Sequence, residues 1–160
     1  MKPVMLATDG SPTAEKATEK AIELARLLDT ELVILSVWDI PYAAVGLAPM
    51  AVTGEVALAG REDAQKVVND AASRATEAGV AARCLVLRGS PVDEIRLATE
   101  KFAPRFLVVG SHGWGVMKRA LFGSVSTGVL HHVECPVLVV RGVAEATAPA
   151  ADGVRETTHA

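Results

Sequence analysis

The sequence has few of the residues that mark several classes of protein. Only 4% of its 160 residues are aromatic, and only two are cysteines, Cys84 and Cys135. These cysteines match no metal-ligand spacing, and a structural disulfide would be unusual in a chain that starts without a secretory signal. We therefore expect both cysteines to be buried as small hydrophobic residues, not as nucleophiles, in a protein of the reducing cytoplasm.

The sequence also has no uninterrupted apolar run long enough to cross a membrane. Met1-Lys2-Pro3 is followed by only four apolar residues, far short of the apolar region of a signal peptide. The segment from Ile40 to Ala59 carries a single charge, but two prolines and two glycines interrupt it. In lipid each interruption would leave backbone groups without hydrogen bonds. We predict a flexible loop there and no contact with a membrane.

An excess of positive charge is missing too. The 16 Lys and Arg residues against 19 Asp and Glu residues give a formal charge of -3. No global positive field is then available to hold a nucleic acid backbone, so we expect no nucleic acid partner. The length and the 50% apolar content fit one domain with a single hydrophobic core.

What the sequence does have is a regular alternation of two patterns. Five short apolar runs without polar alternation predict strands buried on both faces; they begin at Val4, Leu32, Cys84, Phe106 and Val137. Between them, apolar residues recur at helical spacing. Ser11-Pro12 and Ser90-Pro91 predict helix starts, the second with a capping box to Asp93, and Gly79 predicts a helix end.

This alternation predicts an α/β fold, a single-domain, five-stranded parallel sheet with helices on both faces. We expect the domain to span residues 1–142 and the Ala/Thr-rich tail, 143–160, to be disordered. In such sheets ligands bind beyond the carboxyl ends of the strands, where the winding direction reverses. The candidate segments therefore follow the first, second and fourth strands, at Asp9, at Val37 and from Gly110 onward.

The strongest functional signal is the glycine-rich segment after the fourth strand, with the spacing Gly110-x2-Gly113-x9-Gly123-Ser124. Glycines let backbone N–H groups approach an oxyanion, and a serine hydroxyl at the N-cap of the last helix would lie beside the positive end of its dipole. This is chemistry for a polyphosphate, although glycines can also serve only a tight turn. The nearby Lys118-Arg119 pair favours phosphate, but it can equally be a solvated surface.

The segment resembles the nucleotide signature of the universal stress protein family, in its ATP-binding branch. The resemblance runs from Val4 to Arg141 and includes the closing strand after Pro136. It implies a Rossmann-like, adenine nucleotide alpha hydrolase-like fold with strand order 3-2-1-4-5, and ATP, with Mg²⁺, as the ligand. It also implies nucleotide contacts from residues at four segments of the chain: Ala7, Asp9, Val37, Val109, Gly110, Gly113, Gly123, Ser124 and Val125.

Several of these side chains allow two interpretations. Asp9 can accept a hydrogen bond from ribose or adenine or coordinate Mg²⁺ indirectly, but it can also cap the first helix. Val37 can form the wall for a base or merely pack in its strand. His112 can act as an acid, a base or a charge near phosphate, or it can hold the turn. Trp38 is assigned to the core or rim, outside the site.

The resulting functional hypothesis is a nucleotide-binding regulatory protein of stress adaptation. No clear base or arginine finger is evident, so at most slow ATP hydrolysis is expected, and no catalytic residue is assigned. The alternatives are a true ATPase or nucleotide hydrolase, with His112 or Asp9 as base, and a binder of another adenine nucleotide such as cyclic AMP. No metal ligands are assigned, since the adjacent His131 and His132 would point about 100° apart on a helix.

The last strand predicts the oligomeric state. Its apolar run should lie at a sheet edge, and an uncovered edge invites pairing with a second copy. We therefore expect a homodimer formed through Val137, Leu138, Val139 and Val140, an arrangement that the family resemblance also implies. A further protein partner is left open.

Overall fold

The computed structural model of the protein describes residues 1–39, 50–113 and 122–142. Its elements are β1 (Val4–Ala7), α1 (Pro12–Leu27), β2 (Leu32–Trp38), α2 (Met50–Glu77), β3 (Ala82–Arg88), α3 (Pro91–Phe102), β4 (Phe106–Gly110), α4 (Ser124–His132) and β5 (Val137–Val140). The strands form one sheet with the order β3-β2-β1-β4-β5, and every neighbouring pair is parallel. The predicted α/β architecture and strand order are confirmed.

Helices cover both faces of this sheet. On one face, α1 and α2 pack against alternate strand residues such as Leu6 and Ile34. On the other face, α3 and α4 cover the intervening residues, among them Met5, Val33 and Leu107. All five of these strand residues are fully buried. Successive residues of a strand point to opposite faces, so the central strands need apolar residues at every position.

The two outer strands are less buried than the sequence predicts. β3 has exposed arginines at Arg83 and Arg88, and the side chain of Leu138 in β5 is 38% exposed. The expectation that all five strands are buried on both faces is wrong for these two. Each is an outer strand of the sheet with a single strand neighbour, and the helices cover it only in part.

The helix ends follow the predicted signals in some places and not in others. Ser11 caps α1, accepting a hydrogen bond from the Ala14 N–H at 3.4 Å. Gly79, just after α2, has a φ of +76°, which favours glycine. The capping box at Ser90 is wrong, because its side chain makes no cap hydrogen bond. The N-cap of α4 is Gly123, so Ser124 is the first helical residue and not the cap.

The largest correction concerns the segment predicted as a loop from Ile40 to Ala59. From Met50 onward this segment is helical, as the first part of the 28-residue helix α2. Pro41 and Pro49 both precede the helix, and a single interior glycine costs only about 1 kcal/mol relative to alanine. Gly60 lies beside Trp38, whose ring would be 3.6 Å from a Cβ at that position. No helix in the described ranges is long and apolar enough to cross a membrane.

Residues 40–49, the pair Lys118-Arg119 and the tail 143–160 lie outside the described residues. The loop predicted for the first of these segments, the phosphate role of the two cations and the disorder of the tail therefore stay predictions.

The position of β5 as an outer strand of the sheet leads to a prediction about assembly. Wild-type protein should have twice the monomer mass of 16.7 kDa in light scattering at micromolar concentration. Leu138→Lys should weaken this association, because it places charge on the pairing strand without touching Val140, which packs against the core. Leu58→Lys, on the exposed surface of α2, is the matched control and should leave the dimer intact. A wild-type mass near that of the monomer would contradict the dimer.

Candidate functional site

A cavity of about 300 Å³ lies at the carboxyl edge of the sheet. The winding direction reverses at β1, because β2 and β3 lie on one side of it and β4 and β5 on the other. The cavity is enclosed by the carboxyl ends of β1, β2 and β4 and by the N-terminal ends of α1, α3 and α4. This is the place at which open parallel sheets bind ligands.

The structure brings all the residues of the predicted site together. Every one of them lines this cavity: Ala7, Asp9, Val37, Val109, Gly110, Gly113, Gly123, Ser124 and Val125. They come from segments far apart in the sequence, and the sheet register aligns them, since Ala7 is the partner of both Leu35 in β2 and Val109 in β4.

One end of the cavity is apolar. Leu35 and Val37 from β2 and Val109 from β4 form its floor, and Pro91 and Ile95 from α3 form its side. Ile95 and Val109 are buried, whereas Val37 is half-buried. Such a surface can take the flat apolar face of an aromatic ring. Val37 therefore packs against the core and also lines the cavity, and its contact with a base stays a prediction.

The other end is formed by the glycine segment after β4 and by the start of α4. The Ser111 N–H donates to the Val140 carbonyl at 2.8 Å, and the Ser111 carbonyl accepts from the Gly123 N–H at 2.7 Å and from Ser126 Oγ at 3.0 Å. The Gly123 N–H is thus hydrogen-bonded within the protein. The first N–H groups of α4, at Ser124 and Val125, have no intrahelical acceptor and are the donors that this helix can offer to an anion.

Gly113 lies directly against Asp9. A Cβ built on Gly113 would be 2.5 Å from the Oδ2 atom of Asp9, so no larger residue fits while the carboxylate keeps its position. The Oδ1 atom of Asp9 accepts the Ser11 N–H at 3.0 Å. Asp9 therefore supports the turn into α1 and also lines the cavity, but the residue that caps α1 is Ser11 and not Asp9. A role of the Asp9 carboxylate toward a ligand stays a prediction.

His112 also lines the cavity, and it is tied to its surroundings through both its ring and its backbone. Its Nδ1 atom lies 3.0 Å from Ser111 Oγ. Its carbonyl accepts hydrogen bonds from the hydroxyls of Ser11 and Thr13 at the start of α1. These contacts favour the positional role for His112. Trp38 is not among the lining residues and packs instead against Arg88, whose guanidinium carbon lies 5.4 Å from the ring centroid.

Both side chains and backbone contribute to the electrostatic character of the cavity. Among its described lining residues, Asp9 and His112 are the only titratable ones, and neither a lysine nor an arginine is present. The N-terminal ends of three helices meet there, and each carries a partial positive charge. Within the ranges that the structure describes, no group of three or more His, Cys, Asp or Glu residues could hold a metal ion. His131 and His132 lie exposed in the last turn of α4.

Sequence reasoning missed several lining residues, namely Thr8, Ala14, Leu35, Pro91, Ile95 and Ser126. Two of them had a usable signal. Leu35 precedes Val37 by two positions, so both point to the same face of β2. Ile95 follows Pro91 by four positions, so both lie on one side of α3. The packing of α3 beside the cavity belongs to the tertiary structure and cannot be predicted from a local sequence pattern.

Comparison with known proteins identifies the family. A family model described as the universal stress protein family matches residues 1–141. The chain belongs to the universal stress protein family. The expectation drawn from the glycine signature is therefore confirmed at the level of the family.

Several known proteins are similar to this chain in sequence and in fold. Universal stress protein MJ0531 of Methanocaldococcus jannaschii is 32% identical over 141 residues, which cover 88% of this chain and 82% of that protein. The solved structure of hypothetical protein MJ0577 has a TM-score of 0.78 and 26% identity, covering 91% of this chain and 99% of that one. A universal stress protein crystallised in complex with cAMP has a TM-score of 0.65 and 25% identity, covering 87% and 96%.

The two cysteines of this universal stress protein lie away from the cavity and are free thiols. Burial raises the pKa of the Cys84 thiol and of the Cys135 thiol. Cys84 also donates a hydrogen bond to the Val68 carbonyl at 3.5 Å. A raised pKa leaves less thiolate at neutral pH, and the thiolate is the nucleophile.

We therefore expect slow alkylation of both cysteines in the folded protein. Iodoacetamide labelling near neutral pH, followed by mass spectrometry, should be slower at each site than in the same protein unfolded in guanidinium chloride. If the folded protein were labelled at the rate of the unfolded protein, burial would not lower the reactivity of these thiols.

Proposed function

We propose that this protein binds an adenine nucleotide in the cavity at the carboxyl edge of the sheet and acts as a nucleotide-dependent regulatory protein in stress adaptation. The observation that carries this proposal is the pairing of two unlike surfaces in one cavity. The wall of Leu35, Val37 and Ile95 suits a base, whereas Gly113 and the start of α4 suit phosphate.

The comparisons support the class of ligand. The family member crystallised with cAMP is 25% identical to this chain and aligns over 87% of it. A nucleotide has an apolar adenine ring at one end and an anionic phosphate at the other. The cavity of this chain has an apolar end for the ring and an anion-binding end for the phosphate. Backbone N–H donors recognise phosphate without counting how many are attached, so ATP, AMP and cyclic AMP are all compatible with the described part of the site.

Within this class we propose ATP, together with Mg²⁺, as the ligand. Asp9 is the only carboxylate among the described lining residues, and Mg²⁺ is commonly held by one or two carboxylates together with the phosphates of its substrate. The residues therefore fit an ion brought in by the nucleotide, and not an ion held by the protein alone. The positive ends of three helices would offset part of the phosphate charge.

The site offers little for rapid hydrolysis. Positioning and charge stabilisation dominate phosphoryl transfer, and efficient enzymes also use a residue that orients the attacking water. His112 and Asp9 are the two candidates for such a residue, and both have structural hydrogen bonds to neighbouring groups. We propose slow hydrolysis at most. A turnover assay comparing wild type with His112→Ala separates this function from that of a true ATPase, which would lose its activity.

Two further features belong to the proposal. A homodimer through β5 would leave the cavity accessible, because its described lining comes from β1, β2 and β4 and the helices that cover them, and from no residue of β5. We also propose a cytoplasmic location, which fits the two free cysteines.

Nucleotide binding predicts a higher melting temperature. At about 100 times the dissociation constant, a ligand that binds only the folded state contributes about 2.7 kcal/mol. For a domain of this size that corresponds to a shift of about 5 to 10 °C. The measurement is thermal unfolding of nucleotide-stripped protein with and without millimolar Mg-ATP, ADP, AMP or cyclic AMP. The absence of a shift with all four would refute the proposed ligand class.

The identity of the natural ligand can be read directly. Mass spectrometry of the nucleotide released when freshly purified protein is denatured with acid would name it. ATP is the expected species, and recovery of cyclic AMP or AMP alone would favour the alternative.

A substitution at Gly113 tests the phosphate end of the cavity. Gly113→Val should abolish nucleotide binding while the domain stays folded, because its side chain would displace the Asp9 carboxylate and occupy space that the phosphate needs. Ser124→Ala should be milder, since losing one hydrogen bond to a charged group costs about 1.5 to 3 kcal/mol, or about ten- to a hundredfold in affinity. Titration calorimetry measures both. Wild-type affinity in Gly113→Val would mean that the loop is assigned wrongly.

A further inference from the structure

The carbonyl of His112 is held by two hydroxyls from the start of α1. Ser11 Oγ donates to it at 3.2 Å, and Thr13 Oγ1 donates a second, short hydrogen bond. The donors and the acceptor are 101 and 99 positions apart in the sequence. The orientation of the His112–Gly113 peptide is therefore set by a different element of the fold and not by the glycine segment alone.

This orientation determines where the Gly113 amide points. In a trans peptide the C=O and the N–H point in opposite directions. With the His112 carbonyl directed at the hydroxyls of α1, the Gly113 N–H is directed to the other side of the peptide. The preceding peptide is fixed in the same manner, because its Ser111 carbonyl is held by Gly123 and Ser126. Both peptides thus have their carbonyls anchored within the protein.

We propose that Ser11 and Thr13 are positioning residues for the phosphate of the nucleotide, holding the His112–Gly113 peptide so that its N–H is presented to the anion. This inference rests on the proposed function. Gly113 has no Cβ to restrain its backbone, so without the two hydroxyls the peptide can rotate. A rotated peptide would turn its carbonyl oxygen toward the phosphate and repel it, which is the reverse of a preorganised donor.

Thr13 gives the cleaner test of the two residues. Ser11 also caps α1 by accepting the Ala14 N–H, so its removal would disturb the helix as well. Thr13→Ala and Thr13→Ser both lose the γ-methyl group, and only the serine keeps the hydroxyl. Thr18→Ala is the matched control on the same helix, because the Thr18 hydroxyl donates to the Ala14 carbonyl within α1 and not to the His112 carbonyl.

The experiment measures how much the phosphate adds to affinity. Titration calorimetry on nucleotide-stripped protein gives dissociation constants for adenosine and for AMP, and their ratio isolates the phosphate contribution. Thr13→Ala should lower this ratio about tenfold, the size expected for one lost hydrogen bond to a charged group, with adenosine affinity unchanged. Thr13→Ser and Thr18→Ala should keep the wild-type ratio.

Amide spectra add a direct readout. On addition of AMP, the Gly113 N–H resonance of wild type and of Thr13→Ser should move downfield, as expected for a new hydrogen bond, and that of Thr13→Ala should not. An unchanged AMP-to-adenosine ratio in Thr13→Ala, or an equal loss for both ligands, would overturn the positioning role while leaving the proposed function standing. Wild type that binds none of adenosine, AMP, Mg-ATP, ADP and cyclic AMP would overturn the proposed function itself.

Discussion

Burial of β1 from every direction is the constraint on which the rest of the structure depends. This strand has a parallel neighbour on each side, and Val4, Met5 and Leu6 are inaccessible to solvent on both faces. To cover it, the chain winds one way through α1 to β2 and the other way through α3 to β4. The connections to β2 and to β4 diverge at the carboxyl end of β1, and the cavity lies in the gap between them. The site is thus a consequence of how the central strand is enclosed.

The sequence predicted what depends on local pattern and missed what depends on packing. Apolar runs such as the one that begins at Val4 are enough to predict the strands. The glycine spacing from Gly110 to Gly123 is enough to predict the polar end of the cavity. Ile95 was missed because only the packing of α3 brings it there. Residues 50–59 are helical and not the predicted loop, because both prolines precede the helix and glycine is only a weak helix breaker.

Among the described residues, the groups that could attract phosphate differ from those of a cation-based site. The described lining contains no lysine or arginine, and beside the Asp9 carboxylate its anion-binding groups are helix ends and amides whose carbonyls are anchored. Such donors are fixed by the fold, so they require little reorganisation when an anion arrives. They also carry a partial charge only, which favours reversible binding over the permanent capture of a nucleotide.

The length of α2 has a consequence for the local stability of the domain. At about 1.5 Å per residue its 28 residues span about 42 Å, while the seven residues of β2 span about 23 Å. Among the described side chains of α2, Ala64 is the first that is buried and contacts with the core cluster run from Val68 to Ala75, whereas Glu55, Val56 and Leu58 are exposed. Amide hydrogens in the first turns of α2 should therefore exchange with solvent through local opening, and those beyond Ala64 only when the whole domain unfolds. One continuous helix would thus contain a loosely held half and a firmly held half.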